Sequence, residues 1–487
     1  MAKTSCVLLA MLLSAPSAVK GSDAMEMPKP IQIVLDNAKP LTHPRGDRLP
    51  LLLWPVLHGV VDDEAQQEAI IRALDERGVA LMATWNYDSK DKSLPDSMRV
   101  ARIQQKLGVP VIVNANPCMY RFFNGDEQTA HVDADGKRFF DDSFGDHHKM
   151  GCAFAADYRY ADMKERIDFF VRAYKEAGLP LDMVWGDWEI DGAHEFNRSW
   201  EAAKRCAVCR QNIPELDDFA AYQKVMRIKR ADMTRKCYTE PILSRYAKAI
   251  VGNYGVYPHN GYRYWYDYFE FFVDYQPHIK DQRARYRKWY DEFDLTGYTF
   301  AMPVVYTWYD TFGWYDFDDP DYRWFYNMLL VASNAGEHTD ASVPIIPFVH
   351  WHLILEVPGR DITPDESVKQ MSERAYQELL WHMLLRGTDG LFLWAREHEW
   401  GKETQLLHEV YAASLEYADW LNEGVPINFE VPKQPGVVIS GLRRGDRVLV
   451  RRTDFGKAEA KPVTIEVAGR KLTVLPAPGK CQILEIH

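Results

Sequence analysis

The stretch Leu181-Asp-Met-Val-Trp-Gly-Asp-Trp-Glu-Ile-Asp191 begins as an apolar run and ends in three acids at alternate positions. Successive side chains of a β-strand point to opposite faces, so Asp187, Glu189 and Asp191 are predicted to share one face. Carboxylates crowded at the end of a buried strand repel one another, so one of them is expected to keep its proton near neutral pH. The stretch therefore predicts a buried strand that carries a general acid at its end.

Seven further apolar runs lie around this stretch, with helical patterns between them. The eight predicted strands are 49–60, 79–85, 109–116, 181–190, 249–257, 297–306, 343–351 and 387–395, and helical patterns cover 63–77, 161–177, 217–249 and 367–385. Alternating strands and helices indicate a parallel sheet, and eight of them predict an α/β fold, the (β/α)8 TIM barrel. A doubly wound open sheet is the alternative, but no glycine-rich nucleotide-binding turn follows the first run.

The two ends of the chain differ from this central region. Residues 1–24 combine Lys3, a short apolar run and small residues, which is typical of a secretory signal peptide and predicts a secreted or periplasmic protein. The barrel is predicted to span residues 25–425. Residues 426–487 contain short β runs separated by turns, which predict a small C-terminal all-β, sandwich-like domain.

Composition restricts the classes of partner. The net charge of -12 argues against nucleic acid, because binding to phosphates needs clustered Lys and Arg. No run after the signal is long enough to span a bilayer, so no membrane partner is expected. Two long segments, 117–160 and 257–289, are predicted to lie over the carboxyl rim of the barrel, and aromatic residues there are expected to line a cleft. The oligomeric state stays open.

Six cysteines remain once Cys6 leaves with the signal peptide. An even number in an exported protein favours disulfides, and Cys118 and Cys152 bracket the long segment that follows the third strand. We therefore expect a disulfide between them. Cys206-x-x-Cys209 with Cys237 suggests a structural zinc site instead, although the sequence shows no obvious fourth ligand.

The acids of the fourth strand resemble the Asp-x-x-Asp-x-Asp-x-Glu motif of glycoside hydrolase family 18. Asp182, Asp187 and Glu189 fall on motif positions, whereas Trp185 replaces the middle Asp. The pair Asp187-Trp-Glu189 is also similar to the hyaluronidases. The sixth strand ends near Tyr309-Asp310, and the eighth strand ends in Trp394, as in those barrels.

This resemblance implies a secreted hydrolase of O-glycosyl bonds that needs no cofactor or metal. It would act on a polysaccharide or glycan, and glycans that contain N-acetylhexosamine are one candidate class. Glu189 would be the general acid and Asp187 would orient the acetamido group of the substrate, which attacks the anomeric carbon. Tyr306 would touch the acetamido group, and Trp394 would form the subsite floor. The predicted substrate-binding residues are Asp191, Trp185, Tyr306, Tyr309, Asp310, His350, His352 and Trp394.

Other functions fit parts of the same pattern. A retaining glycosidase would use Glu189 as acid/base and Asp310 as nucleophile. A metal-dependent hydrolase would use His350 and His352, which share one face of the seventh strand, with further ligands in Asp146-His-His148. A non-catalytic carbohydrate-binding barrel is the remaining alternative, and a calcium site or a solvated strand end would equally account for the cluster of acids.

Overall fold

The structure is a computed structural model that describes residues 27–119, 126–141, 149–188, 197–258, 262–264, 286–288, 292–308, 312, 317–354, 368–456 and 460–486. Residues 1–24, predicted to be a signal peptide, lie outside this range, as do Asp146, His147 and His148. Glu189, Asp191, Tyr309 and Asp310 are also outside the described residues.

Each of the eight predicted runs contains a strand, so the predicted order of parallel strands is confirmed. The strands form two four-stranded parallel sheets, ordered β2-β3-β6-β7 and β1-β12-β11-β10. Their bounds are Leu52–Leu53 (β1), Met82–Thr84 (β2), Ile112–Asn114 (β3), Met183–Gly186 (β6), Ile250–Asn253 (β7), Val304–Trp308 (β10), Phe348–Ile354 (β11) and Phe392–Leu393 (β12). Two short antiparallel pairs occur between these strands along the chain. They are His131–Val132 (β4) with Arg138–Phe139 (β5), and Tyr262–Tyr264 (β8) with Tyr286–Lys288 (β9).

Backbone hydrogen bonds join the two sheets at both edges. On one side the Leu51 amide donates to the Gly78 carbonyl at 2.8 Å, and the Ala80 amide donates to the Leu51 carbonyl at 3.1 Å. On the other side the Thr299 amide donates to the Val251 carbonyl at 2.8 Å. The sheets are thus neighbours at both edges, but within the described residues they do not merge into the continuous eight-stranded sheet that was predicted.

Prolines explain part of this shortening. Pro303 precedes β10 and Pro347 precedes β11, and neither residue has the N–H group that a ladder requires. Their carbonyls still accept hydrogen bonds from the neighbouring strands. The Phe348 amide donates to the Pro303 carbonyl at 2.9 Å, and the Phe392 amide donates to the Pro347 carbonyl at 3.0 Å. The strands therefore begin one residue after each proline.

Helices cover the outside of the parallel sheets. They are Lys29–Asn37 (α1), Glu64–Asp75 (α2), Lys90–Leu107 (α3), Asn116–Met119 (α4), Tyr160–Glu176 (α5), Asn197–Arg205 (α6), Ala207–Asn212 (α7), Phe219–Thr234 (α8), Glu240–Leu243 (α9), Glu292–Thr296 (α10), Pro320–His338 (α11), Glu373–Leu384 (α12), Trp400–Ser414 (α13) and Ala418–Glu423 (α14). Side-chain caps fix several starts; the Asp63 carboxylate, for example, accepts the Gln66 amide at 2.7 Å before α2. None of the helices in the described ranges has the length and apolar character needed to cross a bilayer.

The single helix predicted for residues 217–249 is interrupted. It is regular over α8, widens to a π turn over Arg235–Thr239, and ends with α9. Pro241 lacks the amide that would donate to the preceding turn, so the regular hydrogen-bond ladder cannot continue through it.

The C-terminal segment forms antiparallel strands. These are Val425–Pro426 (β13), Val437–Arg444 (β14), Arg447–Asp454 (β15), Val463–Val467 (β16), Arg470–Val474 (β17) and Cys481–Glu485 (β18), with β13-β14-β15-β18 in one sheet and β16-β17 in another. The sheet packs on α12 through buried polar contacts. Arg451 donates to both carboxylate oxygens of Glu378 at 2.9 and 2.7 Å, and His382 lies 2.7 Å from the Ser440 hydroxyl.

The predicted disulfide between Cys118 and Cys152 is not formed, and all six cysteines that follow residue 24 are free thiols. Cys118 lies in the main core, where its thiol donates to the Trp85 carbonyl at 3.4 Å. Cys152 lies in a separate apolar cluster, 3.5 Å from the sulfur of Cys209. The prediction was wrong because the two ends of the intervening segment pack into two separate apolar clusters.

Candidate active site

The carboxyl ends of the parallel strands meet at one edge of the fold. The residues that follow them there include Asn116 after β3, Asp187 after β6, Tyr254 after β7 and Trp394 after β12. β10 and β11 bring Tyr306, His350 and His352 to the same edge. Active sites of parallel α/β barrels lie at this edge, because the loops that carry functional side chains start there.

The end of β6 is held from both sides by amide side chains. The Asp187 amide donates to the side-chain oxygen of Asn116 at 3.2 Å. The Trp188 amide donates to the side-chain oxygen of Asn253 at 2.9 Å, and the Asn253 amide group donates back to the Trp188 carbonyl at 3.2 Å. The backbone that carries Asp187 is therefore fixed between the ends of its two neighbouring strands.

Close packing also restricts the residue before Asp187. A Cβ atom added to Gly186 would lie 2.4 Å from the sulfur of Met119 and 3.1 Å from the side-chain oxygen of Asn253. A larger residue would push β6 away from the Asn253 contact. Glycine at this position therefore allows the hydrogen bonds that hold the strand end.

Trp185 lies between the two parallel sheets and is fully buried. Its ring packs against Phe392 at 4.6 Å, Phe348 at 5.8 Å and Trp54 at 5.9 Å between centroids. The prediction that it binds substrate is corrected, because a fully buried side chain presents no surface to a ligand. The strand period of two nevertheless places Asp187 on the same face, one layer above Trp185 and nearer the carboxyl edge of the sheet.

Asp187 is half-buried, as is the following Trp188. Trp188 packs against both the main core and the separate cluster that contains Cys152 and Cys209. The acid thus lies where the main core meets the segments that follow β3 and β6. Glu189 and Asp191 follow directly in the chain, outside the described residues.

A second polar group lies at the ends of β11 and β12. The Nε2 atom of His350 is 3.0 Å from an oxygen of Glu399, and Nδ1 of His352 is 2.8 Å from an oxygen of Glu403. Arg396 also donates to Glu399, through its Nε at 2.9 Å. His350, Glu399 and Glu403 are buried, whereas His352 is partly exposed. Burial raises the pKa of Glu399, but hydrogen bonds from His350 and Arg396 outweigh it and hold this pKa below its usual range.

The sequence analysis missed Glu399 and Glu403. Both belong to the segment after β12 and are one helical turn apart, so they approach the histidines from one side. The four-residue spacing of the two acids was the available signal, but nothing in the sequence linked it to a strand that ends almost fifty residues earlier.

Three residues of this group meet the distance requirement for a metal site: potential ligand atoms of His350, His352 and Glu403 lie within 4.8 Å of one another. However, Glu403 already accepts the backbone amides of Trp351, at 2.9 Å, and His352, at 2.7 Å, besides the His352 ring. These hydrogen bonds satisfy its carboxylate without a cation. The arrangement therefore fits a positioning network better than a metal centre.

Aromatic rings lie next to this network at the carboxyl edge of the strands. Tyr306 stacks on Trp394 with ring centroids 5.5 Å apart and an interplanar angle of 28°. The ring of His350 lies 5.0 Å from Trp394 and 5.9 Å from Tyr306. Tyr306 and Trp394, which were predicted from different strands, are thus brought together. Trp394 is half-buried and so presents part of its ring.

A cleft of about 510 Å³ opens at the opposite, amino edge of the strands. Asp47 and Asp182 are the acids among its described lining residues, and the Asp182 carboxylate accepts the Val111 amide at 2.8 Å. Asp182 matches the first motif position, but it lies at the far end of the strand from Asp187. The amino-edge cleft therefore does not hold the predicted acid pair.

Comparison with known proteins places the chain in no established family. No family model matches it, and no curated protein is significantly similar to it. Solved structures that resemble it include α-L-fucosidase isoenzyme 2 from Paenibacillus thiaminolyticus (14% identity, TM-score 0.36, covering 68% of this chain and 41% of that one). A β-galactosidase from the haloarchaeon Halorubrum lacusprofundi has 8% identity and TM-score 0.43, over 77% and 58% of the chains. Bee venom hyaluronidase has 11% identity and TM-score 0.29, over 66% and 93%.

These three proteins are glycosidases by name, but the similarity defines neither the family nor the activity of this chain, which spans 41% and 58% of the first two. Its chemistry therefore has to be inferred from its own residues.

Proposed function

We propose that this chain is an exported glycoside hydrolase that cleaves a polysaccharide or glycan at the carboxyl edge of a (β/α)8 barrel. One observation carries the proposal: the backbone of Asp187 is fixed between Asn116 and Asn253 at the end of β6, on the inward-facing side of the strand. An acid pair that transfers protons at a glycosidic bond needs such rigid placement, because a small error in position lowers the rate by a large factor.

In the proposed mechanism Glu189 donates its proton to the glycosidic oxygen, and the bond from that oxygen to the anomeric carbon breaks. The carbonyl oxygen of the sugar's own 2-acetamido group attacks the anomeric carbon and closes a cyclic oxazolinium ion. Asp187 orients the acetamido group and stabilises the positive charge that develops on its nitrogen. Water, deprotonated by Glu189, then opens the ring and restores the acetamido group.

A sugar subsite at the aromatic pair Tyr306 and Trp394, which lies at the same carboxyl edge as Asp187, is part of this proposal. Sugar rings have apolar C–H faces that pack on aromatic planes, and Tyr306 adds a hydroxyl that can bond to the acetamido group. The ring of His350 lies 5.9 Å from Tyr306 and 5.0 Å from Trp394, and His350 is itself held by Glu399. The subsite floor in this proposal is therefore supported by buried residues, which limits its movement.

The retaining alternative, in which Asp310 attacks the anomeric carbon, differs in one measurable respect. It gives a glycosyl ester on the protein, whereas the acetamido mechanism gives none. The metal-dependent alternative has weaker support, since Glu403 is already satisfied by backbone amides and by His352.

The test is a screen of the full chain on N-acetylhexosamine-containing and plain polysaccharides, with product analysis. Glu189→Gln is the disabled variant. Asp182→Asn is the matched control, because Asp182 lies on the same strand at the opposite edge and its replacement can still accept the Val111 amide. Hydrolysis by wild type and Asp182→Asn but not by Glu189→Gln is expected. Equal hydrolysis by all three would remove Glu189 from the mechanism.

A further inference from the structure

A second constellation of metal-binding side chains lies outside the candidate active site. It consists of His131 in β4, Cys152 before a 3-10 turn, and Cys206 and Cys209 at the start of α7. Their ligand atoms all lie within 4.8 Å of one another. The Cys152 and Cys209 sulfurs are 3.5 Å apart, and Nδ1 of His131 is 3.9 Å from the Cys209 sulfur.

The separations of 3.5 and 3.9 Å are close to the edges of a tetrahedron around zinc. With Zn–S bonds of about 2.3 Å and Zn–N bonds of about 2.0 Å, ligand atoms of a tetrahedral site are about 3.4–3.8 Å apart. All four side chains are buried, with at most 3% exposed. Three cysteines with one histidine form a common ligand set of structural zinc sites, and a closed, buried set leaves no position for substrate.

The backbone supports this ligand arrangement. Cys206 is the N-cap of α7, and its carbonyl accepts the Arg210 amide at 3.1 Å, so Cys209 projects from the first turn beside it. The Cys152 amide donates to the Thr129 carbonyl at 2.7 Å, which holds the third sulfur next to β4. His131 stacks on Phe139 of the paired strand, with ring centroids 5.2 Å apart. Each ligand is thus held by its own element before any metal binds.

Disulfide formation does not account for the cluster. A disulfide joins only two sulfurs. A bridge between any two of the three cysteines would leave the third sulfur and the His131 imidazole next to that bridge. Cys237, which the sequence suggested as a ligand, belongs to the same apolar cluster but is directed elsewhere, with its thiol 3.7 Å from the Tyr160 carbonyl.

We propose that His131, Cys152, Cys206 and Cys209 bind one structural zinc ion. The site joins two parts of the chain, because His131 and Cys152 belong to the segment after β3, whereas Cys206 and Cys209 belong to the segment after β6. A hydrogen bond from Ser199 to Asp141, at 3.2 Å, joins the same two segments nearby.

The zinc therefore fastens together the two segments beside Asp187. Trp188 packs on the cluster that contains the three cysteines, so a loosened cluster would free one side of the strand end. The zinc site is inferred from the geometry of its ligands and does not depend on the proposed glycosidase activity.

The first experiment measures the zinc content of the full chain, purified under reducing conditions without added metal. One zinc ion per chain is expected for wild type. Cys209→Ser should lose it, whereas the matched control Cys237→Ser, altered in the same cluster, should retain it. Metal-free wild type that does not take up zinc would overturn the proposal, as would full zinc content in Cys209→Ser.

A spectroscopic experiment keeps the test valid if Cys209→Ser fails to fold. Zinc absorption-edge spectroscopy of wild type should fit three sulfurs at about 2.3 Å and one nitrogen at about 2.0 Å. Zinc bound only by nitrogen and oxygen would place the metal elsewhere and contradict the assignment. A Cys206–Cys209 disulfide found by peptide mapping of the reducing preparation would also overturn it.

Discussion

The side chain of Asn253 makes two hydrogen bonds to the backbone of Trp188, accepting its amide at 2.9 Å and donating to its carbonyl at 3.2 Å. Asn253 is 4% exposed and ends the strand next to β6. One buried amide therefore sets the direction in which the chain leaves β6 towards Glu189.

Replacement of Asn253 by Ala should impair catalysis without preventing folding. Two hydrogen bonds to a buried peptide are lost, which costs about 1–3 kcal/mol of unfolding free energy. Turnover should fall at least tenfold, because the acid pair is displaced. The measurement is denaturant unfolding beside activity, with Asn37→Ala as control, since the Asn37 side chain donates to the Ile33 carbonyl within α1, away from the strand end. Wild-type turnover in a destabilised Asn253→Ala would contradict a positioning role.

Glu189→Gln keeps the shape of the side chain but cannot donate an acid proton. Turnover should fall by about 10²–10⁴ on substrates with poor leaving groups, the usual contribution of general acid catalysis. The loss should be much smaller on aryl glycosides, whose leaving groups need little protonation. An equal loss on both kinds of substrate would indicate a folding or binding defect instead.

Asp187→Asn should lower turnover while leaving the melting temperature near that of wild type, because its proposed role is electrostatic. Thiazoline analogues of the N-acetyl sugar should inhibit competitively, since they mimic the oxazolinium ring. Mass spectrometry after incubation with a 2-fluoro sugar decides between the glycosidase mechanisms. A glycosyl ester on a carboxylate such as Asp310 would replace the acetamido mechanism with a protein nucleophile.

The Glu399 carboxylate should make stability depend on pH. Its pKa in the folded chain lies below the ordinary value of 4.5, because His350 and Arg396 donate to it, so the unfolded chain binds more protons as the pH falls. Its contribution is therefore complete above about pH 4.5 and is lost as the pH falls towards the folded pKa. Glu399→Gln should be destabilised by about 1.5–3 kcal/mol at pH 7, with a smaller difference from wild type at pH 4. A difference that does not change between these pH values would show that its charge is unimportant.

His352 offers a test that separates the two constellations. His352 is hydrogen-bonded to Glu403, so His352→Gln should leave the zinc content unchanged. Any loss of activity should come from a disturbed subsite floor. Loss of a metal ion in this variant, with activity restored by added zinc, would favour the metal-dependent hydrolase.

Local sequence patterns were sufficient to predict where the parallel strands lie and which side chains share a face at the end of β6. Apolar runs identify a strand because burial of a sheet requires them, and the period of two places Asp187 and Trp185 on one face. The positions of prolines mattered as well, since β10 and β11 begin directly after Pro303 and Pro347, and the regular hydrogen-bond ladder of α8 does not continue through Pro241. These features depend on covalent geometry and neighbouring residues, so the sequence determined them by itself.

Contacts between distant segments were decided only by the tertiary structure. His131 reaches Cys209 across 78 positions, and His350 reaches Glu399 across 49, because helices and loops pack over the ends of strands. The same packing separates Cys118 from Cys152 and buries Trp185 between the two parallel sheets. Sequence order specifies which side chains are available, whereas the layer in which each one is buried depends on how all the elements fill the core together.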